Sequence, residues 1–475
     1  MNKSILAALI ICFTFSTISA TGKNATESKM EWWNSARFGM FVHWGPYCLY
    51  GGVYNGYKCQ RPGAEWIMNA CKIPVMEYRV KSSTFNPSDF CADSLVLVAK
   101  RAGMKYLVFT AKHHDGFAMF ETQTSRYNIV DYTPYGRDIV DQIVLSCRKY
   151  GLRFGFYYSQ CQDWNNPGGA TLDRYLPQYG FEHPESDLIN DYVKTHNGSW
   201  DPIQQSRTFD SYFDEVAMPQ ISELLSRYPD VGCIFFDTPR QMTKYAGDKL
   251  HKLLEQYPDV IINDRMYRPD YPGDYKTPEH KIPLPEEVEN VYWETCTSIG
   301  SSWGYKSWEE KWKTTKSLIR SLIQIAARGG NLLLNVGPDP NGNIPDEAKE
   351  RLDSIGNWLQ IYGDAIYGTQ RSGFSPTWGE ITAKNQNGKS YYYCFVLQSP
   401  KNNNITIDGN IHPRSVVDYV TDEPLKYRCQ NGCLNINIPS GHRDNPYVVK
   451  IELKTTIPEE NLLTNTQKHF AVADE

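Results

Sequence analysis

The chain has 475 residues, about three times the ~150 of an ordinary domain, so a large domain with a smaller companion fits it better than one unit. Hydrophobic residues at 41% and charged residues at 22% exclude disorder as the dominant state. The net charge is −5, from 49 basic and 54 acidic side chains, and with no basic block the electrostatic footprint of nucleic-acid binding is missing.

Residues 1–20 read as a secretory leader. Lys3 supplies the positive end, Ile5 to Phe15 the apolar stretch, and Ser19-Ala20 a small-residue cleavage site. The stretch is too short to span a bilayer, and no other long apolar run follows, so no membrane partner is expected. The reading is an exported protein, secreted or periplasmic, or lysosomal in a eukaryote. Cleavage removes Cys12 and leaves an odd number of cysteines. These are scattered, with no CxxC pair, and no zinc site or other metal is expected. Cys59 with Cys71, and Cys429 with Cys433, are the pairs close enough in sequence to bridge. Asn24, Asn197 and Asn404 head N-glycosylation triplets.

From about residue 35 to 340, short apolar runs alternate with helical patterns. The runs are Gly39–Trp44, Tyr106–Thr110, Leu152–Tyr158, Cys233–Phe236, Val260–Asn263, Val291–Thr295 and Leu332–Val336. Candidate helices are Ser94–Ala102, Asp138–Tyr150, Tyr212–Tyr228, Lys249–Tyr257 and Trp308–Ala327, with a further one at Asp346–Tyr362. Strands separated by helices imply a parallel sheet, and seven runs approach the eight of a (β/α)8 barrel, the eighth having no placement in the sequence. The alternative is a doubly wound open sheet. That fold wants a glycine-rich turn after its first strand, and His43-Trp44-Gly45-Pro46 is not one. Beyond residue 370 the pattern becomes short alternating strands between Asn, Gly and Pro turns: Thr382–Lys384, Tyr391–Leu397, Asn404–Ile407, Val416–Val420 and Tyr447–Leu453. The expected organisation is a barrel-like domain over 21–369, a β-sandwich over 370–455 and a polar tail over 456–475.

In a parallel barrel the reactive side chains follow the C-terminal ends of the strands. Here those positions hold His43 and Trp44, Lys112-His113-His114-Asp115, Tyr157-Tyr158-Ser159, Asp237, Asn263-Asp264-Arg265, Glu294 and Asn335. So many polar groups converging at one face imply a hydrogen-bonding pocket. Each has a plainer reading alone: Asp237 as a helix cap, the histidines as satisfied loop residues or weak metal ligands, Asp264 and Arg265 as a structural ion pair. No nucleotide-binding glycine turn occurs, and no organic cofactor is implied. Gly300-Ser301-Ser302-Trp303-Gly304 has the letters of a serine elbow, but a loose loop, not a sharp strand-to-helix turn, surrounds it. Carboxylate chemistry remains. Hydrolysis of a glycosidic bond uses two acids, one at the anomeric carbon and one at the leaving oxygen. Asp237, after a fully apolar strand, suits the first role. Glu279, in the loop from Gly273, and Glu294, at a strand end, are the candidates for the second.

Phe41-Val42-His43-Trp44-Gly45, Lys112-His113-His114-Asp115-Gly116-Phe117, Tyr157-Tyr158-Ser159, Phe236-Asp237, Asn263-Asp264-Arg265, Trp303-Gly304-Tyr305 and Gly329 through Pro338 together resemble the retaining α-L-fucosidases of glycoside hydrolase family 29. The resemblance runs in order from about residue 30 to 370. It implies a (β/α)8-like catalytic domain followed by a β-sandwich, with fucosylated oligosaccharides or glycoconjugates as substrates. It matches Asp237 to the nucleophile. His43, His113, His114, Tyr157 and Arg265 match groups that bind sugar hydroxyls or orient the nucleophile. Glu65 and Trp66 match a further sugar-contacting pair, and Phe41 and Trp303 the apolar wall around the C6 methyl. Glu279, in Thr277-Pro278-Glu279, resembles the acid/base of the branch that acts on α-1,3/1,4-linked fucose, and is favoured over Glu294, which matches a position proposed as acid in other members and otherwise suits a substrate contact. Phe235 stands where some members carry Trp, and Asp237-Thr238-Pro239 where many carry Asp-Gly. The competing class is a non-catalytic sugar-binding protein on the same scaffold, for which two intact acids are unnecessary. The sequence sets no oligomeric state.

Overall fold

The computed structural model describes residues 25–59, 63–169, 182–196, 198–237, 239, 242–268, 270–440 and 446–458. The leader at 1–20, the acceptor residues Asn24 and Asn197 of two triplets, Thr238, and tail residues 459–475 lie outside them.

Seven parallel strands form the central sheet: β1 (Phe38–Val42), β2 (Tyr106–Lys112), β3 (Arg153–Tyr158), β4 (Cys233–Phe236), β5 (Ile261–Ile262), β6 (Glu294–Ser298) and β7 (Asn331–Val336). Their order is β5-β4-β3-β2-β1-β7-β6. The edge strands β5 and β6 do not pair directly. The segment from 274 to 280 runs between them, with Asp264 N–H donating to Tyr275 O on one side and Lys276 N–H to Tyr292 O, Glu294 N–H to Lys276 O and His280 N–H to Cys296 O on the other. This irregular eighth element closes the ring. Its sequence, Asp-Tyr-Lys-Thr-Pro-Glu-His, has no apolar run, and Pro278 interrupts its donors, so the strand is invisible to periodicity.

Side chains alternate across the sheet. Phe41, Val108, Tyr157, Phe235, Cys296 and Leu333 fill the barrel interior. Met40, Leu107, Phe109, Phe156, Ile234 and Leu334 face the outer helices. The helix α1 (Ala25–Ala36) packs Met30, Trp33 and Ala36 with the interior residues, whereas the outer helices include α2 (Ala92–Arg101), α3 (Ile139–Tyr150), α4 (Met218–Arg227), α5 (Lys244–Leu254), α6 (Thr315–Ala327) and α7 (Asp346–Tyr362). Local signals set their ends: Asp138 caps α3 by accepting from Asp141 N–H, and Gly151, at φ 74°, stops it in the left-handed conformation. Thr314 caps α6, so that helix begins seven residues after the expected Trp308.

One strand departs from expectation in a way that matters. The apolar run Val291-Tyr292-Trp293 precedes β6; ladder pairing with β7 begins at Glu294 opposite Asn331. The strand itself is Glu-Thr-Cys-Thr-Ser, polar by letter yet wholly buried. Glu294 therefore opens the strand and does not end it.

The C-terminal part holds two antiparallel sheets. One contains β8 (Gln370–Arg371), β9 (Gly379–Gln386), β10 (Lys389–Val396), β15 (Tyr447–Leu453) and β12 (Pro413–Asp418); the other contains β11 (Asn404–Asp408), β14 (Cys433–Asn437) and β13 (Tyr427–Gln430). Ile381, Cys394, Ile405, Ile407, Leu434, Ile436, Val449 and Ile451 pack between them. The expected Cys429–Cys433 bridge is corrected. Cys429 lies opposite Leu434 and Cys433 opposite Gln430, so the two thiols project from opposite faces of the ribbon. Cys59 and Cys71 stand in hydrogen-bond contact and are not bonded as a disulfide.

Candidate active site

The C-terminal ends of the strands open onto a cavity of about 910 Å³. Phe41, His43, Glu65, Trp66, His113, His114, Tyr157, Asp237, Arg265, Glu279 and Trp303 all line it. These are eleven of the twelve site residues named from the sequence. Glu294 is the exception. It is fully buried, at the opposite end of the barrel, where the hydroxyl of Tyr106, the first residue of β2, donates to its Oε2. Burial pushes its carboxyl up to about 8, so it is mainly protonated near neutral pH. Its reading as a substrate contact or acid at a strand end is corrected by the register of β6.

Asp237 follows β4 directly. Tyr157 Oη donates to its Oδ2 at 2.8 Å and Arg265 Nη1 to its Oδ1 at 2.8 Å, with His114 Nε2 3.5 Å from Oδ2. Burial alone would raise the acid's pKa. The Arg265 charge and the hydrogen bonds from Arg265 and Tyr157 outweigh it and hold the carboxyl down at about 2. Its backbone is fixed as well. Gln160 Oε1 accepts from Asp237 N–H at 3.1 Å, while Asn263 accepts from Phe236 N–H and donates to Phe236 O. Gln160 was not anticipated; reading one residue past Ser159 at the end of β3 would have found it.

Arg265 binds four oxygens. Besides Asp237, it donates to Thr277 Oγ1 at 2.9 Å, Thr277 O at 3.1 Å and Glu279 Oε2 at 3.0 Å. Burial works against its charge, but the facing carboxylates more than offset this and raise its pKa well above the ordinary value. Glu279 sits at the mouth, 40% exposed, on the closing segment. Glu65, at the turn Ala64–Trp66, is buried on the wall and accepts from Gly304 N–H at 2.8 Å and Ser302 Oγ at 3.1 Å; burial raises its pKa. Ser302 thus serves as a donor to a carboxylate, in a loop, with no elbow around it.

Burial leaves the three histidines neutral. It holds His43 down to about 3, His114 to about 4 and His113 well below its ordinary value. Their tautomers follow from their partners. Asn335 donates its amide to Trp303 O, so its oxygen faces His43 Nδ1 at 2.6 Å and His43 carries the proton there. Ser159 Oγ donates to Gln162 O and so accepts from His114 Nδ1 at 2.6 Å. In both rings Nε2 is left as an acceptor. Phe41 packs against Phe235 at 5.0 Å and Trp303 at 6.0 Å, giving an apolar wall. Gly337 lets the Trp303 loop approach the end of β7: a Cβ there would lie 2.7 Å from Trp303 O. Among the described residues no three His, Cys, Asp or Glu side chains group as metal ligands. The site therefore offers one ionised carboxylate held by Tyr157 and Arg265, a second at the mouth on the same guanidinium, neutral histidines lining the cavity and an apolar wall.

The family model described as Alpha-L-fucosidase matches residues 15–364. A tissue alpha-L-fucosidase of Bos taurus is 30% identical over 357 residues, covering 71% of this chain and 69% of the bovine protein. The crystal structure of an alpha-L-fucosidase from a Vibrio species matches with a TM-score of 0.79 at 29% identity, covering 90% of this chain and 73% of that one. A GH29 alpha-L-fucosidase from Bacteroides thetaiotaomicron, trapped as a covalent intermediate in complex with 2-fluoro-fucosyl fluoride, matches with a TM-score of 0.76 at 26% identity, covering 90% and 96% of the two chains.

Proposed function

Because this chain belongs to the α-L-fucosidase family, and is accordingly a glycoside hydrolase, we propose that it releases terminal α-L-fucosyl residues, α-1,3/1,4-linked ones foremost, by a retaining double displacement in which Asp237 is the nucleophile and Glu279 the acid/base. The observation that carries this reading is the division of labour between two carboxylates in one cavity. Asp237 is ionised and immobilised by Tyr157 and Arg265. Glu279 stands on a loop at the exit.

In the first step an Asp237 oxygen attacks the anomeric carbon, and Glu279 gives its proton to the departing glycosidic oxygen. An ester forms between Asp237 and the fucosyl residue, and the negative charge passes from Asp237 to Glu279, both within reach of Arg265. In the second step Glu279 takes a proton from water, which attacks the same carbon and expels the Asp237 carboxylate. His43 and His114 present bare Nε2 atoms that suit sugar hydroxyls as donors. Phe41 and Trp303 suit a methyl group where most hexoses carry a hydroxyl. Pro239, Met242, Tyr267 and Arg268 extend the cavity beyond the eleven residues above, leaving room for the sugar that fucose departs from. The leader supports export of the mature enzyme.

The test is azide rescue. Glu279→Ala assayed on an aryl α-L-fucoside should regain turnover with added azide and yield a fucosyl azide of retained configuration. Inverted azide product from that variant would remove Glu279 from the acid/base role, and normal turnover by Asp237→Ala would remove Asp237 from the nucleophile role.

A further inference from the structure

Glu279 is followed by His280, whose backbone lies in the left-handed region at φ 55°. That region is uncommon for any residue but glycine, although histidine is among the types that enter it most readily, and neighbouring contacts hold it there. Three contacts enforce it. The backbone N–H donates to Cys296 O at 3.0 Å. The ring nitrogen Nδ1 lies 2.9 Å from Thr297 Oγ1, which Lys313 Nζ also reaches at 2.6 Å. The ring packs on Trp303, with centroids 4.8 Å apart and planes 32° from parallel. The imidazole also lines the cavity.

The closing segment is thus pinned on both sides of Glu279. Upstream, Arg265 and Asp264 hold Thr277 through its hydroxyl. Pro278 has no N–H to contribute. Downstream, His280 N–H donates to Cys296 O and Thr295 Oγ1 to Lys281 O at 2.7 Å, holding the segment to β6 where the chain turns. Arg265 Nη2 holds the Glu279 carboxyl at 3.0 Å, while the backbone that carries it turns at His280, whose ring packs on Trp303, itself a wall of the cavity.

We propose that His280 is the positioning residue for Glu279: its left-handed turn, its stack on Trp303 and its bond to Thr297 aim the carboxyl at the departing oxygen. This rests on Glu279 being the acid/base. Its consequence is selective. A proton donor accelerates only the departure of groups that need a proton. Misaiming the donor therefore harms release of a sugar and spares release of a group that leaves as a stable anion.

The experiment compares kcat/KM for a fucosylated oligosaccharide with kcat/KM for 2,4-dinitrophenyl α-L-fucoside in five proteins: the unaltered enzyme, His280→Ala, His280→Gly, His280→Asn and Glu279→Ala. His280→Ala should lose about 10²-fold on the oligosaccharide, the scale of a donor displaced by an ångström, and at most a few-fold on the dinitrophenyl substrate. His280→Gly takes the left-handed turn without strain and keeps the fold, but lacks the ring's anchors, so it should show the same selective loss. His280→Asn, which tolerates the turn and can bond Thr297, should recover most of it. Equal losses on both substrates in His280→Gly, or no loss on either, would overturn the proposal. Glu279→Ala separates the two claims: if it shows the selective loss and the His280 variants do not, only the positioning role falls; if it loses equally on both substrates, the acid/base assignment falls first.

Discussion

Asp237 and Glu279 are tied to a single guanidinium, Arg265 reaching the first through Nη1 at 2.8 Å and the second through Nη2 at 3.0 Å. The two acids are therefore coupled through one side chain. Arg265→Met should lower kcat by roughly 10²–10³-fold, the range seen when a preorganised charge partner is removed from a dry site. Arg265→Lys should recover little of this, since an ammonium is a point charge and cannot fork between two carboxylates. Steady-state kinetics on an aryl α-L-fucoside checks both. Lysine restoring ordinary turnover would mean that charge alone, without the fork, suffices.

The low pKa of Asp237 makes a statement about stability. Its folded value is about 2, against roughly 3.9 for an unfolded aspartate. The native state therefore binds this proton less readily. The group contributes about 2–3 kcal/mol of stability that is fully present above pH ~5 and is lost as pH falls through 2. Asp237→Asn, besides nearly abolishing turnover, should be less stable than the unaltered enzyme at pH 6 by about that amount, the gap closing toward pH 2. Thermal melts across this range measure it. A gap independent of pH would assign the loss to packing and not to ionisation.

Glu294 makes the opposite statement. Its folded pKa is raised to about 8, so the native state holds the proton more tightly than the unfolded chain, and stability falls as pH rises from ~4 to ~8. Glu294→Gln supplies a neutral group of the same shape. It should match the unaltered enzyme near pH 5, exceed it by a few kcal/mol at pH 8, and keep kcat and KM within about two-fold. Chemical denaturation at the two pH values, with kinetics alongside, tests it. A collapse of kcat without loss of fold would return Glu294 to the active site.

Glu294 also shows where the sequence is legible and where it is not. Strands buried on both faces announce themselves as apolar runs, as Cys233–Phe236 does, and the polar residue after the run then falls at the cavity, as Asp237 does. The rule breaks at β6, whose buried ladder is Glu-Thr-Cys-Thr-Ser, while the apolar Val291-Tyr292-Trp293 lies outside it. The three-residue shift sends Glu294 to the wrong end of the barrel. The eighth element fails for the same reason: Asp274 to His280 closes the ring through isolated bridges that need no apolar period. Glu279 could be named from its resemblance to the family motif, but the part of the closing segment that directs it could not. The backbone angle of His280 depends on Cys296, Thr297 and Trp303, all distant in sequence.

Trp303 is the remaining wall whose role can be measured. Its ring faces His43 at 5.1 Å, His280 at 4.8 Å and Phe41 at 6.0 Å, and its carbonyl is held by the Asn335 amide at 2.7 Å. An apolar wall favours a methyl over a hydroxymethyl group, but such walls reject an added hydroxyl by only about 10²-fold. The enzyme's preference for an aryl α-L-fucoside over the α-L-galactoside, which differs by that one hydroxyl, should be of this order. Trp303→Ala should raise KM for the fucoside by roughly 10–100-fold and shrink the preference toward unity, because water can then reach the C6 position. Phe41→Leu keeps an apolar contact and should reduce the preference by less than Trp303→Ala does. If Trp303→Ala left the fucoside-to-galactoside ratio intact while raising both KM values equally, the ring would be a generic platform for the sugar, and the selection against the hydroxyl would have to come from Phe41 and Phe235 deeper in the barrel.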